Sequence, residues 1–224
     1  MKQFITGPYA YPGPEFSEVV GSGGGSFVSG CVLQNVNTPV RGPADKQRIG
    51  DRIMIHKIEV DFEIICPGIP NDIPYAVDLL MYKDTLLTAQ PTLLQMINEV
   101  YQFDLYGIAA ASNLGLSSRS FFKNNYKDHV TVLHTTRGLA KNLVIPPPGG
   151  SSLLVNNFCK NHRFTINRKI PWHFQSDGAA AGTAQSLLKN AFLIVARAGG
   201  NSDRVGTNKL VLNNYTIRYW YTDA

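Results

Sequence analysis

From Met54 to Ile64 the chain alternates. Met54, His56, Ile58, Val60, Phe62 and Ile64 fill the even positions, while Lys57, Glu59, Asp61 and Glu63 fill odd ones. A period of two sustained over this span means a long strand with one face in a core and an acidic face outside. A strand of that kind needs partners, and the chain supplies them. Tyr75 to Tyr82, Val130 to Thr136 and Leu143-Val144-Ile145 are further apolar strands. From Phe164 to Phe174 apolar even positions alternate with polar Thr165, Asn167, Lys169 and His173, which predicts a half-buried strand with a basic outer face. Ala191 to Ala196 reads as a fully buried strand. Lys209 to Tyr221 closes the series, with Tyr215, Ile217, Tyr219 and Tyr221 on one face. Pro91 to Val100 carries Leu93, Leu94, Met96 and Ile97 behind a first-turn proline, the pattern of one short helix. With seven or eight strands, long loops at 107–118 and 176–186 and no repeat, the expected class is all-β: a sandwich with Greek-key connections.

Composition agrees with that class. A chain of 224 residues and 24.7 kDa buries about 70% of its unfolded surface, enough for one large core. Only 17% of residues are charged, and 20 Gly with 13 Pro argue against a helical bundle. Residues 1–46 form a Gly/Pro-rich lead, expected to be a partly ordered arm, and 47–224 the folded domain. The run Gly21 to Ser26 is a hinge by composition and no phosphate loop, because no Gly-Lys-Ser/Thr follows. Met1 to Gly7 reaches Pro8 before any apolar run, so no secretory signal is expected, and no stretch is apolar enough to span a membrane. Cys31, Cys66 and Cys159 are odd in number and lack a Cys-x-x-Cys pair. They read as small buried thiols of a reducing compartment.

Charge is divided unevenly. Residues 1–118 hold 7 basic and 12 acidic side chains, whereas 119–224 hold 14 and 4, and no Asp or Glu lies between Asp128 and Asp177. A basic half of this kind attracts polyanions or acidic protein surfaces.

The pattern offers little catalytic chemistry. His129 and His134, like His162 and His173, are of opposite parity and would lie on opposite strand faces. His56 falls on the apolar side of the first strand, as a satisfied or interface histidine. Glu59, Asp61 and Glu63 share a face. A solvated surface is the default there, with a divalent cation or a neighbour's basic patch as alternatives. No Gly-x-Ser-x-Gly occurs, and no cysteine has a base nearby in sequence. The expectation is a protein that is not an enzyme and carries no cofactor or metal. Arg119 to Lys127 spaces Arg119, Lys123 and Lys127 four apart with Phe121, Phe122 and Tyr126 between them. That arrangement suits phosphates and stacked single-stranded bases, or equally a strand entrance whose rings enter the core.

Gln47-Arg48-Ile49-Gly50-Asp51-Arg52-Ile53, running into Met54-Ile55-His56-Lys57-Ile58-Glu59-Val60, resembles the opening of the first jelly-roll strand in capsid proteins of small circular Rep-encoding single-stranded DNA viruses, the circovirus-like group. Asn214 to Asp223 resembles their aromatic, Arg-bearing final strand. The resemblance spans roughly 47–223 and is specific over about thirty positions at its two ends. It implies a single jelly roll of eight antiparallel strands that self-assembles into an icosahedral T=1 shell around single-stranded DNA, bound independently of sequence. The partners would be further copies of the chain, the genome and a host surface receptor, with no membrane. The location would be the virion, and host cytoplasm and nucleus during assembly. Alternatives are the coat of a small RNA or satellite virus, or a non-viral jelly-roll carbohydrate-binding module stacking sugars on Trp172, Trp220 and the tyrosines. A cupin-like enzyme is weaker, for want of clustered histidines.

In the resembled fold the segment before the first strand emerges inside the shell, which nominates Arg41, Lys46, Arg48 and Arg52 for genome contact, with Arg119, Lys123 and Lys127 as second choices. The alternative for all seven is a turn or surface cation paired with Asp45, Asp51 or Asp128. Members of the group usually begin with an Arg-rich arm, yet residues 1–40 hold one basic residue, Lys2. Sixty copies at +5 carry roughly 300 positive charges, whereas the coat gene alone needs about 670 nucleotides. An additional basic segment, cations or another protein is expected to make up the difference.

Overall fold

A computed structural model of the chain describes residues 1–6, 15–17, 31–66, 73–83, 99–102, 118, 120–141, 143–145, 154–156, 158–175, 187–198 and 209–223. Among them run thirteen strands: β1 (Lys2–Thr6), β2 (Glu15–Ser17), β3 (Cys31–Asn35), β4 (Arg52–Cys66), β5 (Ile73–Tyr82), β6 (Val130–Ala140), β7 (Leu143–Ile145), β8 (Leu154–Asn156), β9 (Phe158–Ile166), β10 (Ile170–Phe174), β11 (Leu187–Lys189), β12 (Phe192–Ala198) and β13 (Lys209–Asp223). One four-residue helix, α1 (Tyr126–His129), precedes β6. The all-β expectation holds. The helix expected over Pro91 to Val100 lies outside the described residues apart from its last two positions, as do the glycine run and the loops at 107–117 and 176–186.

All strand pairings are antiparallel. A seven-stranded sheet, A, has the order β1-β13-β4-β10-β11, with β2 also on β13 and β9 also on β4. A four-stranded sheet, B, has the order β3-β12-β5-β6, and β7 and β8 form a hairpin. The described parts of residues 1–46 therefore contribute strands to both main sheets. The returns are nested: β13, the last strand, lies beside β4, and β12 lies beside β5.

Between the sheets the aromatic side of β13 does what its alternation predicts. Tyr215, Ile217, Tyr219 and Tyr221 are all buried. Tyr219 packs on Trp172 and Phe192, joining β13, β10 and β12 in one cluster. Trp172 donates its indole N–H to the Asn190 carbonyl (2.8 Å), and the Asn190 side-chain amide donates to the Pro171 carbonyl (2.7 Å). Asn190 makes the β11–β12 turn at φ 63°, a left-handed conformation that asparagine tolerates. β12 is buried along its whole length. On its second face Arg197 bonds the Ser120 carbonyl of the connection between β5 and β6.

Two sequence expectations fail here for identifiable reasons. Ile53 and Ile55 are buried, His56 and Lys57 are both partly exposed, and burial resumes at Ile58. Trp220 pairs with Lys57 but Tyr221 with Ile55, so β4 carries one extra residue at this point. The bulge switches the inward parity. Met54 and His56 thus leave the core side, and His56 bonds Thr222 Oγ1 (2.9 Å) on the outer face. The single strand expected over 164–174 is instead β9 and β10, separated by exposed Asn167, Arg168 and Lys169, and both pair with β4.

Candidate nucleic-acid interface

The outer face of sheet A carries the strongest pattern of charge. Cross-strand partners share a face, so the register sets Glu59 beside Arg218 and Thr165, Asp61 beside Arg163, and Glu63 beside Asn213 and Asn161. Glu59 pairs with Lys57 (2.6 Å) and Arg163 (3.4 Å), and Arg218 reaches Asp61 (2.8 Å) and Glu59 (3.7 Å). Glu63 accepts from Asn213 (2.7 Å) and from the Cys159 thiol (2.8 Å). The acidic trio is therefore neither a bare solvated face nor a cation site, because cations and amides of β9 and β13 already engage it. Hydrogen bonds from Lys57 hold the Glu59 carboxyl below the usual range, and those from Cys159 and Asn213 do the same for Glu63. Cys159, expected to be buried, is exposed, and its bond to Glu63 pushes the thiol pKa up. The side chains of Cys31 and Cys66 lie outside what is described.

Arg41, Lys46, Arg48 and Arg52 gather where β4 begins, in unequal roles. Val40 and Gly42 exchange backbone bonds with Arg48, closing a loop. The Arg48 guanidinium is 1% exposed and lies 3.8 Å over the Phe174 ring, bonded to the Gly50 carbonyl and to Asp51. Burial lowers its pKa, against the pull of Asp51. Arg48 is a structural cation closed off from any polyanion, which corrects its nomination as a genome contact. Arg41 is exposed and shares Asp51 at 3.3 Å. Lys46 is exposed, and its carbonyl accepts from Tyr221 (3.2 Å). Lys2 ties the same corner, paired with Asp223 (2.8 Å) and donating to the Gln47 carbonyl (2.8 Å). Arg52 is exposed and has no ion pair among the described residues.

Of the second-choice residues, Lys127 lies at the same end of the sandwich. Tyr82, at the end of β5, bonds the Ala191 carbonyl, and Asn190 bonds β10, which pairs with the start of β4. Lys83 donates to the carbonyls of His129 and Lys127, which places exposed Lys127 next to these ends. Lys123 is half-buried before α1, and Arg119 lies outside the described residues. Phe122 stacks between Tyr101 and Tyr126, so those rings serve packing, whereas Phe121 is 68% exposed.

One charged cluster had no sequence nomination. Asp78 of β5 and Arg197 of β12 are both fully buried and paired at 2.7 Å on the outward side of sheet B. Tyr101 donates to Asp78 (2.7 Å), Arg197 donates to the Ser120 carbonyl (2.8 Å), and its guanidinium lies 4.6 Å from the Tyr101 ring centroid. The pair thereby clamps two pieces of the β5–β6 connection onto the sheet. A charge inside each of two otherwise apolar runs was the available signal.

Among the described residues no three His, Cys, Asp or Glu side chains come together as a metal site, and no helix is long and apolar enough to cross a membrane. Comparison with protein-family models and with curated proteins finds no match to the chain.

Proposed function

We propose that this chain is a viral coat protein, a single jelly roll that assembles in about sixty copies into an icosahedral shell around single-stranded DNA. The observation that carries the reading is the nested return of the strands. Pairing of β4 with β13 and of β5 with β12 supports it, because the outer strands of a jelly roll return beside one another in this way. The pairing brings together the two segments with circovirus-like character, the Gln47–Ile53 turn with β4 and the aromatic β13. Exposed Arg41, Lys46, Arg52 and Lys127 at one end of the sandwich support contact with a polyanion. The virion is then the mature location, with assembly in host cytoplasm and nucleus.

The carbohydrate-binding alternative loses one of its two tryptophans as a stacking platform, since Trp172 is fully buried. On sheet A, acids of the first half of the chain pair with cations of the second half within one molecule.

Particle mass tests the proposal. Light scattering and negative-stain microscopy of the purified chain are expected to find a shell of about 1.5 MDa, sixty times 24.7 kDa. A species of one to three chains at every concentration overturns it. Nuclease sensitivity of the packaged material distinguishes a DNA coat from an RNA coat.

A further inference from the structure

We propose that the Arg52 end of the outer face of sheet A is a binding site for single-stranded nucleic acid, with Arg52, His173 and Lys189 contacting consecutive phosphates and Trp220 receiving a base. The inference deepens the coat-protein reading by naming where the strand lies, and rests on it for the identity of the ligand.

Register supplies the geometry. His173 of β10 pairs with Arg52 of β4 on one side and with Lys189 of β11 on the other. Partners share a face, and adjacent strands lie about 4.8 Å apart, so the three side chains form one row about 10 Å across. Arg52 and Lys189 are exposed and His173 is half-buried. None of the three has an ion pair among the described residues, unlike Arg163 and Arg218 farther up the same face. The next row, Met54 with Pro171 and Thr222, is uncharged. Beyond it stands Trp220, partly exposed beside Lys57.

The face is thus polarised along β4. Its far half holds Glu59, Asp61 and Glu63 with their engaged partners, which repels a polyanion or is at best neutral to it. Its near half holds cations with no ion pair among the described residues, an uncharged floor and an indole. From Arg52 to Lys57 the distance along the strand is about 17 Å, room for a few nucleotides laid against the sheet. Cations that follow a backbone, next to an aromatic ring on which any base can stack, are what sequence-independent single-strand binding uses. An acidic protein surface would be drawn to the cations but would have no use for the ring.

The test uses the full chain and oligothymidylate or oligouridylate of about twenty nucleotides. The double variant Arg52→Gln/Lys189→Gln is compared with Arg137→Gln/Lys160→Gln, which removes the same net charge from exposed positions elsewhere. The first is expected to weaken binding about tenfold or more and to lower the slope of log affinity against log salt by about 1.4, while the second stays near the parent. Binding should also quench tryptophan fluorescence in the parent but not in Trp220→Phe, since Trp172 is buried. Circular dichroism checks that each variant is folded. Equal weakening by both double variants, or a quench that survives Trp220→Phe, overturns the site. Particle mass is read in parallel. Shells with unaltered Arg52/Lys189 binding sink this site and leave the coat reading standing, whereas selective loss of binding in a chain that never forms shells does the reverse.

Discussion

At the scale of single residues, Asp78 and Arg197 carry the largest expected penalty. Arg197→Met leaves a buried carboxylate with no cation, and losing one member of a buried pair costs about 3–5 kcal/mol. Chemical denaturation should show this loss, and adding Asp78→Leu to Arg197→Met should recover much of it. Two histidines set a pH dependence. His162 shares a hydrogen bond with Tyr75 OH (2.7 Å), stacks on Phe62 and lies near Lys160. His134 stacks on Phe164 and lies near Asp78. Burial lowers both pKa values, so the unfolded chain binds these protons more readily than the folded one. Stability is full above the unfolded histidine value, near 6.5, and falls as pH drops below it. Melting temperature measured from pH 7.5 down to 5.5 should decline, with a shallower decline in His134→Phe. Cys159 is exposed yet held as a thiol by Glu63, so alkylation at neutral pH should be slow, and Glu63→Gln should speed it. Neither the buried pair nor this thiol could be read from spacing. Asp78 sits inside the run Tyr75 to Tyr82, where strand polarity alone gives no hint of a partner 119 residues away.

At the scale of elements, legibility followed how many phases of a strand were apolar. β5, β12 and β13 were readable because one face, or both, was apolar throughout. The start of β4 misled because Ile53 and Ile55 extend an apolar odd series while Met54 extends the even one, so alternation fits both phases. The bulge decides between them, and it arises from pairing with β13. β1, β2 and β3 went unread because Gly and Pro dominate their neighbourhood, although Phe4 stacks on Tyr219 with rings parallel to within 5°. The edge strand β6 offers a test of sheet packing. Gly138 lies opposite Tyr75, and a methyl group there would collide with the phenol that bonds His162. Gly138→Ala is expected to destabilise by about 1–3 kcal/mol through displacement of that ring, and thermal melting with near-ultraviolet dichroism reads both effects.

At the scale of the whole molecule, the sequence conveyed the all-β class and the cationic start of β4, but not how charge is distributed. Splitting the chain at residue 118 shows an acidic half and a basic half that attracts polyanions or acidic surfaces. Folding instead sets acids of β4 between cations of β9 and β13, because those strands flank it in sheet A. Removing residues 1–6 should expose one edge of β13 and uncover Tyr219, and the shortened chain is expected to aggregate at lower temperature than the parent in light-scattering melts. The β4–β13 pairing also has a consequence in time. A ribosome adds about 5–20 residues per second, so β4 waits roughly ten to thirty seconds after its synthesis before the last strand emerges to lie beside it. Through that interval an apolar ribbon with an open edge meets whatever else is nearby, including the same ribbon on the next ribosome of the message. A chain with this topology depends for its yield on slow translation being shielded, and early contact between nascent copies is the hazard built into its order of strands.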